Sequence, residues 1–122
     1  MIGYITVGTN DLAKAGAFYD ALFAEIGGKR MMDMDTFIAW TNGAQGAAFA
    51  VSQPFDGKEA TVGNGVMVAI AVGSEDDVKR VYSKAIELGG SDEGEPGPRG
   101  DDFYAGYFRD LDGNKLNVFI AS

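Results

Sequence analysis

The side chains that can do chemistry in this sequence are carboxylates, phenols, amines, guanidinium groups and hydroxyls, because its 122 residues include no cysteine and no histidine. The absence of cysteine excludes disulfides, thiolate metal sites and cysteine nucleophiles. The absence of histidine removes the commonest metal ligand and the commonest general base near neutral pH. Any chemistry must therefore come from the remaining groups or from the backbone.

The segment "MMDMDTFIAW", residues 31–40, places three methionines and two aspartates beside Phe37 and Trp40. Methionine adapts to irregular shapes and aromatic rings stack, so this composition favours an apolar wall for a small ligand. Core residues followed by a polar turn explain the same letters equally well. Trp40 is the stronger candidate contact, because its indole N–H needs a hydrogen-bond partner.

The segment "PRGDDFYAGYFRD", residues 98–110, carries aromatic and basic side chains close together. Strand alternation places Phe103 and Tyr107 on one face, where they are candidate ligand contacts. Arg99 or Arg109 is a candidate partner for an anionic ligand group. An ordinary ion pair between Arg109 and a neighbouring aspartate is the alternative.

The segment "DLDGN", residues 110–114, superficially resembles a calcium-binding loop. Its glycine is at the fourth position instead of the sixth, and Ala121 stands at the twelfth where such loops have glutamate. The segment therefore predicts a hairpin turn.

The elements that position these side chains follow from hydrophobic spacing. Alternating residues predict strands at 2–8, 29–32, 37–41, 47–52, 66–72, 103–109 and 115–121. Helical spacing predicts one helix over 12–26 and a second with its apolar face over 78–88, each ended by a glycine pair. Candidate N-caps are Thr9, Asn10 and Asp11 for the first helix and Ser74 for the second. The glycine- and proline-rich residues 94–102 are expected to form a loop.

The predicted elements occur twice in the same order. An offset of 63 aligns Tyr4 with Met67 and Tyr19 with Tyr82, although few of the aligned residues are identical. We therefore expect one domain of two β-α-β-β-β modules, residues 1–53 and 66–122, joined by a linker over 54–65.

This pattern resembles the vicinal oxygen chelate superfamily, which includes glyoxalase I, the bleomycin and fosfomycin resistance proteins and the extradiol dioxygenases. The stretches that carry the resemblance are "YITVGTNDLAKAGAFYDALFAEIGG", "GNGVMVAIAV" and "YFRDLDGNKLNVF". The resemblance spans essentially the whole chain. It implies an α+β fold in which two paired β-α-β-β-β modules form a half-open barrel around a site.

The superfamily's enzymes hold a divalent metal at set strand positions, and this sequence departs from that pattern. The resemblance assigns those positions to Tyr4, Met67 and Asn117, and the fourth falls within residues 36–55, which contain no Asp or Glu. A phenol, a thioether and an amide are poor substitutes for imidazole and carboxylate ligands. We expect no metal and no other cofactor.

Strand parity indicates where these residues point. Tyr4 and Thr6 alternate with Ile5 and Val7, and Met67 and Asn117 likewise lie opposite β-branched faces suited to packing under helices. We therefore expect Tyr4, Thr6, Met67 and Asn117 to face the concave side of the barrel. Lining a pocket and simply filling the core are both compatible with this placement, although an amide seldom occupies a purely apolar core.

The sequence thus favours a small-molecule binding protein that resembles the bleomycin resistance branch and holds an apolar or aromatic ligand without metal. Its candidate ligand contacts are Tyr4, Thr6, Trp40, Met67, Phe103, Tyr107 and Asn117, and it has no assigned catalytic residue. The alternatives are a lactoylglutathione lyase-like or dioxygenase-like enzyme with a non-standard or metal-free site, and a protein that acts through protein contacts.

Composition bounds the remaining partners. The net charge of −8 argues against nucleic-acid binding, which needs a basic surface. No apolar run is long enough for a membrane helix and no signal peptide is evident, so we expect a cytoplasmic protein. The resemblance implies a homodimer.

Overall fold

The structure, a computed structural model, describes residues 1–43 and 46–122. The chain divides into two compact units, Met1–Val62 and Gly63–Ser122. Each unit contains one helix and one four-stranded mixed sheet in the order β-α-β-β-β. The predicted α+β fold of two such modules is therefore confirmed.

The first unit contains β1 (Tyr4–Gly8), α1 (Leu12–Ala24), β2 (Lys29–Asp33), β3 (Phe37–Thr41) and β4 (Ala48–Ser52). Its strands lie in the order β1-β4-β3-β2. β1 pairs with β4 in parallel, whereas β3 pairs antiparallel with both β4 and β2. The helix therefore connects strands at opposite edges of the sheet.

Helix α1 begins and ends where local sequence requires it. The Asp11 side chain caps it by accepting a hydrogen bond from the Lys14 amide at 3.0 Å. Gly27 adopts a φ of 76°, and the Gly28 amide donates to the Phe23 carbonyl at 2.7 Å. This is the left-handed glycine ending that the predicted glycine pair implies.

The core of the first unit is aromatic. Tyr19 on α1 is fully enclosed. Its ring centre lies 4.6 Å from that of Phe49 and 5.3 Å from that of Phe23. Trp40 completes the cluster with its ring centre 5.6 Å from that of Tyr19. Such clusters bury large apolar areas and fix the position of the helix on the sheet.

The second unit contains β5 (Val68–Ala71), α2 (Glu75–Glu87), β6 (Ser91–Pro98), β7 (Phe103–Arg109) and β8 (Lys115–Ala121). Its order, β5-β8-β7-β6, repeats that of the first unit. β5 and β8 are parallel, and β7 is antiparallel to both of its neighbours.

Helix α2 is capped by Ser74, whose hydroxyl accepts a hydrogen bond from the Asp77 amide at 3.1 Å, as predicted. Three acidic residues in its first turn complement the positive end of the helix dipole. The buried side of α2 is aliphatic, with Val78, Val81 and Ala85 packed toward the sheet. Unlike α1, it contributes no aromatic ring that is fully enclosed.

Strand β6 corrects the expectation of a loop over residues 94–102. It extends from Ser91 to Pro98 as an edge strand and pairs only with β7. Prolines are tolerated at a sheet edge, because one side of the strand needs no amide donors. The register shifts twice along the pair, next to Gly94 and Gly97. The true turn is short and is closed by the Arg99 amide donating to the Phe103 carbonyl.

Two element boundaries also move. α1 ends at Ala24 before the turn at residues 25–27, and β5 begins at Val68, because the Val66 amide bonds to the Gly63 carbonyl in a preceding turn. Within the described chain, neither helix has the length and apolar character needed to cross a bilayer.

The predicted turn between β7 and β8 is organised by a buried aspartate. The Asp110 carboxylate accepts hydrogen bonds from the amides of Asp112 and Asn114, both at 2.9 Å, and from the Asn114 side chain. Gly113 adopts a φ of 89° at the tip. The aspartate therefore acts as the centre of a hairpin turn.

Candidate functional site

Each sheet packs one face against its own helix, and we call the opposite one the helix-free face. In the first sheet, Ile5 is in register with Phe49, a member of the core beneath α1. Tyr4 and Thr6 therefore lie on the helix-free face, as parity predicts. Tyr4 is 62% exposed, and its ring meets Phe37 edge-on at 6.1 Å.

The rest of that face is built from small side chains. Thr6 is in register with Ala50, which is in turn in register with Ala39, and Tyr4 is in register with Ala48. The helix-free face of the first sheet thus carries the Tyr4 phenol at one end, together with the hydroxyl groups of Thr6 and Ser52.

Trp40 lies on the other face of this sheet. It is 2% exposed, is in register with Phe49 and packs beneath α1. Its indole N–H donates to the Asp20 carboxylate at 2.8 Å. The partner that the indole was expected to need is therefore a helix side chain, and Trp40 does not join Tyr4 and Thr6.

Asp20 is the centre of a charged network on the same side. Arg30 donates to both of its carboxylate oxygens, through Nε and Nη2 at 2.8 Å each, and its Nη1 contacts Asp33 at 2.9 Å. The guanidinium lies 5.9 Å from the centre of the Trp40 ring. Hydrogen bonding from Arg30 lowers the pKa of the Asp20 carboxyl. This network ties β2 to α1.

The helix-free face of the second sheet is different in character. Ala69, Asn117 and Tyr107 align across β5, β8 and β7, with Gly94 of β6 beyond them. The helix lies on the other side, where Val118 and Phe108 are enclosed. Two predicted contacts, Asn117 and Tyr107, are therefore direct neighbours on one face.

Asn117 is the most unusual residue of this face. It is 1% exposed, and its Oδ1 atom makes no hydrogen bond within the described chain. An unpaired buried acceptor costs about 1–3 kcal/mol. Buried polar groups in folded proteins are nearly always paired, so this acceptor calls for a partner such as an ordered water or a ligand.

Two cations flank the tyrosine beside it. The Arg99 guanidinium lies 5.4 Å from the centre of the Tyr107 ring, and Lys115 Nζ lies 5.7 Å from it. Arg99 donates to the carbonyl oxygens of Glu95 and Gly97 at 2.7 and 2.9 Å. The sequence indicated Arg99 as a candidate partner for an anionic group, whereas Lys115 was not among the predicted contacts.

Phe103 extends the same face toward the end of the sheet. Its ring stacks on Phe119, with ring centres 5.1 Å apart and planes 13° from parallel. Phe103 also lines a cleft of about 250 Å³ together with Tyr104, Ile120 and two acidic residues, Glu75 and Asp101. That volume is below the range usual for ligand pockets, so the cleft by itself does not define a site.

Tyr82, on α2, lies outside this group. Its hydroxyl donates to the Asp92 carboxylate at 2.6 Å. Burial, reinforced by this bond to an anion, raises the pKa of Tyr82 to about 12. The phenol therefore stays protonated at neutral pH and ties α2 to β6.

The comparisons with known proteins agree with this architecture. A family model described as the Glyoxalase/Bleomycin resistance protein/Dioxygenase superfamily matches residues 1–118. The chain belongs to this superfamily. A search of curated proteins gives no significant match.

Solved structures place the superfamily fold on the whole chain. A glyoxalase/bleomycin resistance protein from Albidiferax ferrireducens T118 is 32% identical with a TM-score of 0.90, covering 98% of this chain and 97% of that one. A putative glyoxalase from Bacillus halodurans is 18% identical with a TM-score of 0.78 and coverages of 98% and 94%. The fosfomycin resistance protein FosX from Mesorhizobium loti is 17% identical with a TM-score of 0.73 and coverages of 100% and 92%.

The metal that superfamily enzymes hold does not fit the residues found here. Asn117 has Ala69 and Tyr107 beside it in register, and Lys115 precedes it by two residues on the same face. A divalent cation at this position would meet one amide and a neighbouring ammonium group in place of carboxylates or imidazoles. Among residues 1–43 and 46–122, no three acidic side chains cluster as a metal site.

Met67, the remaining predicted contact, immediately precedes β5 and is 42% exposed. Its thioether is a weak acceptor and a soft ligand, unlike the imidazole and carboxylate groups with which the superfamily's enzymes hold their metal. The site residues that the structure brings together are thus those of β7 and β8.

Proposed function

We propose that this member of the superfamily binds a small apolar or aromatic molecule on the helix-free face of the second sheet, without a metal ion. The observation that carries the proposal is the unpaired, buried Oδ1 of Asn117 beside Tyr107. A ligand N–H or O–H would satisfy that acceptor and recover its desolvation cost.

The surrounding side chains support an aromatic ligand. Tyr107, Phe103 and Phe119 present rings on the same face, and ring stacking favours planar molecules. The names of the similar proteins include a fosfomycin resistance protein and bleomycin resistance proteins. These names support a small-molecule ligand for this chain as well. The chemical class of that ligand is inferred from the residues of this chain.

Titration with indole tests the proposal, since indole is a flat aromatic molecule with one N–H donor. We expect saturable shifts of the Asn117 side-chain amide and the Tyr107 backbone amide in two-dimensional NMR spectra. Asn117→Leu should weaken binding at least about tenfold, because the ligand donor loses its acceptor. The matched control is Asn64→Leu, the same change at an exposed position, which should bind as the parent does.

The proposal is contradicted if neither indole nor a charged indole derivative shifts these resonances saturably. It is also contradicted if Asn117→Leu and Asn64→Leu bind indole equally well.

Metal content tests the second part of the proposal. Elemental analysis of the purified protein should find Zn, Ni, Mn and Fe well below one equivalent. Stoichiometric metal, or stabilisation on adding one of these ions, would favour an enzyme of the lyase or dioxygenase kind.

The family resemblance also leads us to propose a homodimer, which light scattering should detect as twice the chain mass. A monomer at all concentrations would contradict it.

A further inference from the structure

The two cations beside Tyr107 have no carboxylate partner in the described chain. Arg99 differs in this from the other three arginines of the sequence. Arg30, Arg80 and Arg109 each contact a carboxylate within 3.1 Å. Within the described chain, the Arg99 guanidinium donates to carbonyl oxygens and lies near the Tyr107 ring, and Lys115 Nζ lies near the same ring.

Arg99 is nevertheless held in a defined position. Its Nη1 donates to the carbonyls of Gly97 and Pro98, and its Nη2 donates to that of Glu95. The guanidinium lies against the backbone of β6, where a Cβ added at Gly94 or Gly97 would come within 3.2 Å of it. The glycines of this strand therefore make room for the arginine.

The donors that remain on Arg99 are those suited to a carboxylate. A guanidinium has five N–H groups, and the Nε–H and one Nη2–H of Arg99 have no acceptor among the described residues. In the first unit, Arg30 uses the same two nitrogens, Nε and Nη2, to bind both oxygens of Asp20 at 2.8 Å. The Arg30–Asp20 pair thus shows that the Nε–H and Nη2–H donors of an arginine can together bind one carboxylate.

Lys115 adds a second positive charge on the same face. It precedes Asn117 by two residues on β8 and is in register with Arg109. Its ammonium group is close to the same ring as Arg99. Both cations lie within 6 Å of the centre of the Tyr107 ring, so an anion bound beside that ring would be attracted by both.

From this arrangement we propose that the ligand is a planar aromatic carboxylate with an N–H or O–H donor. Its ring stacks beside Tyr107, its carboxylate binds Arg99 and Lys115, and its donor binds Asn117 Oδ1. This inference rests on the proposed function and specifies, in addition, that the ligand is an anion.

Three indole derivatives separate these features. Indole-3-carboxylate has the ring, the anion and the donor. Indole-3-carboxamide lacks the charge, and 1-methylindole-3-carboxylate lacks the donor. We expect indole-3-carboxylate to bind at least about tenfold more tightly than either relative, because each loses one charge-assisted or buried hydrogen bond. Raising the salt from about 0.05 M to about 0.5 M should reduce the difference in affinity between indole-3-carboxylate and indole-3-carboxamide, because it screens charge. The difference between indole-3-carboxylate and its 1-methyl derivative should stay the same.

Variants assign the charge recognition to residues. Lys115→Gln should weaken carboxylate binding about fivefold or more and leave carboxamide binding unchanged. Arg99→Lys keeps the charge but loses the planar fork, so it should have a similar effect. Lys79→Gln is the matched control, since Lys79 is an exposed lysine on α2, at the other face of the sheet.

The outcomes distinguish the two proposals. If carboxylate and carboxamide bind equally well at Asn117, the ligand's charge is not recognised, and this inference fails while the proposed function stands. The same conclusion follows if Lys115→Gln and Lys79→Gln change the affinity for indole-3-carboxylate equally. If no derivative shifts the resonances of this face, both fail.

Discussion

In the first unit Trp40 and Phe49 cluster with Tyr19 between the sheet and its helix, whereas among the described residues of the second a single ring, Phe108, is enclosed on that side. The helix-free faces of both sheets carry rings, Tyr4 and Phe37 in the first unit and Tyr107 and Phe119 in the second. Both units have the same strand order and the same parallel pairing of first and last strands. Topology alone therefore does not decide where aromatic side chains go. The residue types at alternating strand positions decide it.

The two units also differ in the partners of certain cationic side chains. The first unit binds Arg30 to Asp20 and Asp33 at the edge of its core. The second leaves Arg99 and Lys115 beside a tyrosine without carboxylate partners in the described residues. The second unit also forms ion pairs, such as that of Arg109 with Glu93, so the contrast is confined to Arg99 and Lys115, which our proposal assigns to the ligand.

The largest expected effect comes from the tyrosines that the repeat aligns. Tyr19 is fully enclosed among rings, whereas Tyr82 is only partly buried. Tyr19→Ala should lower the free energy of unfolding by about 3–5 kcal/mol, and Tyr82→Ala by about 1–2 kcal/mol. Urea unfolding followed by circular dichroism measures both. Equal losses of unfolding free energy in the two variants would contradict this difference between the two cores.

The next largest effect is a gain in stability. Asn117→Leu replaces an unpaired buried amide with an apolar group of similar size, so it should raise the free energy of unfolding by about 1–2 kcal/mol. Chemical unfolding of this variant and Asn64→Leu measures the difference. A loss of stability in Asn117→Leu alone would mean that the amide supports the fold and is not kept for a ligand.

The strand pattern predicted the fold well, because alternation is dictated by which side is buried. Parity placed Tyr4 and Thr6 opposite Val7, and Asn117 opposite Leu116, as the structure has them. β6 was missed because an edge strand that pairs on one side needs no apolar alternation. Its glycines accommodate the Arg99 side chain, a contact distant from any local pattern.

The position of Trp40 shows the limit of reasoning from residue type. Its need for an N–H partner was recognised, but Asp20 supplies that partner from the helix. Parity within β3 would have placed Trp40 on the same side as Ile38, two residues earlier. Lys115 was not among the candidates, because a single lysine carries no signal in the sequence until the structure shows its ammonium group beside the Tyr107 ring.

The third prediction concerns acid stability in the first unit. Because Arg30 lowers the pKa of Asp20, the network stabilises the fold above the unfolded-state pKa of about 3.9 and loses this contribution as pH falls through the folded value. Asp20 is partly exposed, so Asp20→Asn should cost about 1 kcal/mol at pH 7. The gap between parent and variant should close below about pH 4. A gap that persists at low pH would assign the effect to the uncharged hydrogen bond with Trp40.

The smallest effect sharpens the comparison of the two sets of cations. Lys115 contacts only a ring, and such contacts at partly exposed sites contribute about 0.5 kcal/mol. Repulsion from Arg99 opposes that gain. Lys115→Gln should therefore change the free energy of unfolding by less than about 0.5 kcal/mol, whereas Arg30→Gln should cost about 1 kcal/mol. Thermal unfolding at low salt measures both, and a large loss in Lys115→Gln would make this lysine a structural residue like Arg30.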